Sequence, residues 1–280
     1  MTQECERRSS PTSQNARTEG TGWYLYAITE AFPGIDPKNL SGLPNGAGGP
    51  RPVELVVRKS IAALASPLVE SRVRPQRSNL AAHHRLLKEL MDAGVPFLPA
   101  AFGVVAPTRQ KLEALLVSSR TDLENELKRL SGKVEMGLKV HWEVDNIFCY
   151  FVTQYPDLAQ QRDRVMGQPG GASRDEMIEL GKEFEGLLKH VRERHTASIK
   201  RALEASVVEF KESAPRDEKV VLKISCLISR DRQKEFEQAV LQAAAAFDDH
   251  YAFDYSGPWP PFSFVNVSLS GAGVAAEESD

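Results

Sequence analysis

This chain is poor in cysteine and shows no recognisable catalytic motif. Cys5, Cys149 and Cys226 are the only three cysteines in 280 residues. They lie too far apart for a small disulfide scaffold, and no Cys/His cluster has the spacing of a structural zinc site. Cys149 and Cys226 stand in apolar runs and are expected to be buried. Charge of one sign is also lacking. The formal net charge is −3, so no polyanion partner is implied. No stretch reaches the roughly 18 apolar residues that span a bilayer. Residues 1–20 have no apolar centre and read as a polar, disordered extension rather than a signal peptide. With an odd cysteine count, this predicts a reducing cytoplasm.

Site chemistry is equally sparse. Gly46-Ala47-Gly48-Gly49 is glycine-rich, but Pro50 and Pro52 follow and no helix opens there. It fits neither the dinucleotide nor the P-loop pattern and reads as a plain loop. His83 and His84 are adjacent, so on a helix their rings point about 100° apart. A helical metal pair needs an i, i+4 spacing, which His190 and His195 also miss. No G-x-S-x-G elbow occurs. Cys149 on an apolar helix face would be deactivated rather than activated. Arg72, Arg74 and Arg77 form a basic cluster that reads as a solvated loop face, with an anion site as the alternative. No catalytic residue, metal ligand or cofactor is expected.

What is present is a mixed pattern of strands and helices. An apolar fraction of 41% is enough for a real core. Strands are predicted at 23–29, 53–57 and 97–105, and 60–68 is ambiguous, with a short helix as one option. Helices are predicted at 78–93 and 109–130. Residues 133–142 alternate, with Val134, Met136, Leu138 and Val140 on one face; this strand could close one sheet or open another. Residues 144–165 read as a helix that Pro156 should kink or split. Ser173 and Glu176 form a capping box, opening a long amphipathic helix over 174–211. Residues 219–229 and 250–255 read as strands around a short helix at 232–247. The expectation is an α+β protein with two domains, over 22–132 and 133–270. Antiparallel or mixed sheets pack against helices in both. Residues 1–21 and 271–280 read as disordered ends.

The most unusual stretch is Tyr255-Ser256-Gly257-Pro258-Trp259-Pro260-Pro261-Phe262-Ser263-Phe264-Val265. Its prolines forbid helix and interrupt any central strand. It should be stiff, extended and rich in aromatics. It resembles the C-terminal signature of the gas vesicle GvpF/GvpL proteins. Three further stations stand in that family's order. Trp23-Tyr24-Leu25-Tyr26-Ala27-Ile28 is similar to its opening strand. His84-Arg85-Leu86-Leu87 through Pro96-Phe97-Leu98-Pro99-Ala100-Ala101-Phe102-Gly103 is similar to its helix and following strand. Lys133 to Val140 is similar to its mid-chain strand. The polar extension before Trp23 and the loop at 40–52 depart from the pattern.

The resemblance implies a ferredoxin-like α+β module and an accessory role in gas vesicle formation. It also implies binding to the shell protein GvpA and other accessory Gvp proteins, in the cytoplasm at the nascent vesicle. The candidate contact surface is the Pro/Trp segment (Pro258, Trp259, Pro260, Pro261, Phe262, Phe264) with the aromatic opening strand (Trp23, Tyr24, Tyr26). Rigid aromatic area of this kind is typical of binding hot spots. The alternative is that these aromatics pack on the protein's own sheet. Two other readings stay open: a minor structural component of the mature vesicle, and an enzyme whose site assembles around His83, His84 and the Arg72–Arg77 loop. The enzyme reading requires those groups to converge in one pocket.

Overall fold

The computed structural model describes residues 22–45, 49–70, 72–167 and 171–267. The expected disordered ends lie outside these residues, as does most of the glycine-rich loop. The fold is α+β, built on two antiparallel sheets.

The first sheet contains β1 (Gly22–Glu30), β2 (Glu54–Arg58), β3 (Ile61–Leu68), β4 (Phe97–Pro99) and β5 (Val105–Ala106). Its order is β2-β3-β1-β4, with β5 also pairing with β1. Residues 60–68 therefore resolve as strand rather than helix. Ala62, Ala63 and Ala65 are buried between β2 and β1, where small side chains let helices approach both faces. Helix α1 (Arg77–Asp92) packs on β1 and β4. Helices α2 (Arg109–Ser118) and α3 (Arg120–Leu130) also pack against β1. Along β1 the side chains alternate between two apolar clusters: Tyr24 and Tyr26 join Leu86, Leu87 and Leu90 of α1, while Trp23, Leu25 and Ile28 join the leucines of α2 and α3. Strand β1 is thus buried on both faces.

The single helix expected over 109–130 is two helices. Ser119, at φ −101° and ψ 13°, leaves the α region between them. Adjacent serines have weak helix propensity. The break lets α2 lie along β2 while α3 reaches β4.

The second sheet contains β6 (Lys133–Trp142), β7 (Glu209–Glu212), β8 (Val220–Ser229) and β9 (Tyr251–Trp259), in the order β7-β8-β6-β9. Strand β6 is interior to this sheet, which settles the side it belongs to. Helices α4 (Ile147–Gln154) and α5 (Pro156–Met166) part at Tyr155, where Pro156 begins the second. The capping box at Ser173 is present and opens α6 (Arg174–Leu203), a helix of 30 residues and about 45 Å. Helix α7 (Gln233–Ala244) packs on α6, β8 and β9. Helix α6 ends short of the expected 211. Glu209 to Glu212 instead pair with β8, so sheet pairing wins over helical periodicity there.

Two further expectations change. Cys149 is exposed rather than buried, because α4 turns Ile147, Phe151 and Val152 inward. Cys226 is buried, and burial pushes its thiol up to about 12. The strand expected to stop at Tyr255 runs on through Gly257 and Pro258 to Trp259. It can do so because β9 is an edge strand whose register against β6 shifts between Glu135 and Gly137.

Candidate functional site

The Pro/Trp segment splits into an exposed part and an anchored part. Gly257 sits at φ +128°, and a Cβ there would lie 2.7 Å from Met136 Sδ and 2.9 Å from the Glu135 carbonyl oxygen. Only glycine allows β9 this close to β6 in that conformation. The Gly257–Pro258 peptide is cis. On either side of it, Tyr255 is 45% and Trp259 50% exposed. The Trp259 indole N–H donates to Ser256 Oγ at 3.3 Å, which orients the ring.

From Pro260 onward the chain turns inward, and Pro260, Pro261 and Phe264 are buried. Phe264 joins the cluster of Leu25, Leu123, Leu127 and Leu227, so it touches apolar surface from both halves of the molecule. Polar contacts fasten this strap. Glu135 on β6 accepts from Ser263 N–H at 2.8 Å and from Ser263 Oγ at 2.6 Å. Lys211 donates to the Ser263 carbonyl at 2.6 Å. Arg129 on α3 donates to the Phe264 carbonyl, to both Glu126 oxygens and to Glu209. Glu126 also accepts from Asn266 N–H at 2.7 Å. The hydrogen bonds from Arg129 hold the Glu126 carboxyl below its usual range; burial opposes this and the Asn266 N–H adds to it.

Phe262 is half-buried, with its ring 6.5 Å from His83 and 5.8 Å from His84. His83 is fully buried. Its Nε2 lies 3.1 Å from the Ala100 carbonyl oxygen, which can only accept, so Nε2 carries the proton. The Tyr24 hydroxyl then donates to Nδ1 at 2.9 Å. Burial drives the imidazole pKa down to about 4, outweighing the Ala100 contact.

The structure thus separates the residues expected to share one surface. Trp259 and, in part, Pro258 face solvent. Trp23, Tyr24 and Tyr26 are interior, because β1 is covered on both faces, so they offer no contact area in this conformation. Phe264, Pro260 and Pro261 are themselves buried and serve as anchors. Sequence reasoning missed the acceptor and donor set of Glu126, Arg129 and Glu135, whose spacing looks like ordinary helix and strand charge. It also missed Phe32, which is 89% exposed beside the turn that ends β1.

The groups required for an enzyme site do not converge. His83 is enclosed and His84 faces solvent. Neither lines the cavity bordered by Arg72 and Arg74. Among the described residues, no group of three or more His, Cys, Asp or Glu could hold a metal. No described helix is long and apolar enough to cross a membrane.

A profile of the family described as "Gas vesicle synthesis protein GvpL/GvpF" matches residues 22–266. Gas vesicle protein F of Streptomyces sp. (strain CB03234) is 27% identical over 242 residues, covering 86% of this chain and 98% of that protein. Gas vesicle protein F of Dolichospermum flosaquae is 27% identical over 248 residues, covering 87% and 97%. The crystal structure of GvpF from Anabaena sp. PCC7120 superposes with a TM-score of 0.76 at 24% identity, covering 89% of this chain and all of that one, a likeness of fold. That of GvpF from Microcystis aeruginosa gives 0.71 at 25% identity, covering 87% and 98%. The match spans both sheets, the strap and the exposed edge strand between them, and on that evidence the chain belongs to the gas vesicle synthesis protein GvpL/GvpF family.

Proposed function

We propose that this protein is a non-catalytic accessory factor of gas vesicle formation that binds the shell protein GvpA, together with other accessory Gvp proteins, in the cytoplasm at the nascent vesicle. A subunit that builds a shell exposes apolar patches before it assembles, and such patches aggregate. A partner that covers them transiently prevents this without chemistry. The observation that carries the reading is the exposed Trp259 on edge strand β9, its ring oriented by Ser256 and its backbone flanked by Pro258 and the anchored strap. A ring fixed in this way loses little freedom on binding. Residues 22–132 and 133–270 act as two domains, the second supplying this surface. Its β-α-β-β-α-β order is the basis for reading it as the ferredoxin-like module.

The test is co-expression with GvpA and pull-down, comparing the wild type with Trp259→Ala. Trp259 contributes little to the core, so the variant should stay folded and lose most of the captured shell protein. Equal capture by both proteins would remove Trp259 from the contact. Capture by neither would remove the direct contact with GvpA.

A further inference from the structure

We propose that the cleft between the end of β3 and the start of α1 binds a small oxyanion, a phosphate or carboxylate group. The cleft has a volume of about 520 Å³ and lies apart from the β9 surface. Leu43, Leu68 and Val73 contribute apolar lining. Arg51, Arg72 and Arg74 also line it, against Glu70 as the carboxylate among the lining residues. These cations come from two separate stretches of chain, one before β2 and one after β3, so the fold and not sequence adjacency brings them together.

Arg51 is well fixed. Its side chain is only 12% exposed and pairs with Glu70 at 3.0 Å. Its backbone N–H donates to the Leu43 carbonyl at 2.7 Å. A guanidinium has five N–H donors, and Glu70 accepts from one of its nitrogens. The Arg74 stretch is also held. Its carbonyl accepts from Gln76 N–H at 2.8 Å and from Asn79 Nδ2 at 3.0 Å.

The start of α1 adds to this charge. Gln76 occupies the N-cap without a side-chain cap hydrogen bond, and the first turn carries no acid. Gln76, Ser78 and Asn79 line the cleft at this end. Arginine forks suit planar or tetrahedral oxyanions, and uncapped helix N–H groups favour the same charge. Cleft size and mixed lining fit a small anionic molecule.

The test is thermal unfolding of the full chain in phosphate, in succinate and in chloride at matched ionic strength. Ligand binding to the folded state raises Tm with concentration. The wild type should gain stability from phosphate or succinate beyond chloride. Phosphate also stabilises folded proteins by exclusion from their surface, so only the part of the gain that the cleft variants reduce counts: for phosphate it assigns a phosphate-bearing ligand, and for succinate alone a carboxylate. Arg74→Ala should weaken the apparent affinity at least about fivefold. Gln76→Asp supplies the missing cap and a competing carboxylate, so it should melt higher than wild type without anion yet gain nothing from anion. No gain over chloride in the wild type, or an equal gain in both variants, would overturn the assignment.

Discussion

At the scale of single residues, His83 makes the most readable prediction. It is a neutral, fully enclosed imidazole bridging Tyr24 and the Ala100 carbonyl. The unfolded chain takes a proton at about 6.5, whereas the folded one refuses it until about 4. The stabilisation is therefore present above 6.5 and is lost as pH falls across that window. Between pH 7.5 and pH 5 the loss amounts to about 2 kcal/mol from this group. Urea unfolding at the two pH values measures it. His83→Gln keeps one donor and one acceptor but does not titrate, so its loss over the same interval should be smaller by about that amount. Sequence showed that His83 and His84 miss the i, i+4 spacing of a helical metal pair. It could not show Tyr24, 59 positions away, as the hydrogen-bond partner of His83.

At the scale of elements, β9 and its strap divide the work of one sequence motif. Phe264→Ala deletes a buried ring shared by both halves and should cost about 3–5 kcal/mol. Trp259→Ala removes a half-exposed ring and should cost less than about 1 kcal/mol. Chemical denaturation of the two variants checks the contrast, and equal costs would contradict the division. The stiffness of this run was legible because proline acts locally. Its split into surface and anchor was not, since that depends on Glu135, Lys211 and Arg129 reaching it from distant elements. The opening strand shows the same limit. Alternation identified a strand, but only the helices over both faces decide that Trp23 and Tyr24 are interior. Helix α6 was legible at its capped start. Its end was not, because pairing with β8 overrides local periodicity.

At the scale of the whole molecule, the strap and a few neighbours join the two sheets. The Arg230 guanidinium donates to the Met91 carbonyl across the same seam. One apolar cluster also runs from Tyr24 and Leu86 to Met136 and Phe236. The full chain should therefore melt in a single transition. Removing residues 260–280 takes away Phe262, Phe264 and the bonds to Glu126 and Glu135, and calorimetry should then show a lower Tm, with the transition kept single by the remaining shared apolar cluster. A single transition at unchanged Tm would mean that the strap does not couple the halves.

The most direct test of the central claim is hydrogen exchange of the protein alone and co-purified with GvpA. The prediction is slowed exchange concentrated in Tyr251–Trp259, with little change in 260–266, which the strap already protects. Unchanged exchange along β9, with protection appearing elsewhere, would contradict the assignment of this edge strand as the partner surface.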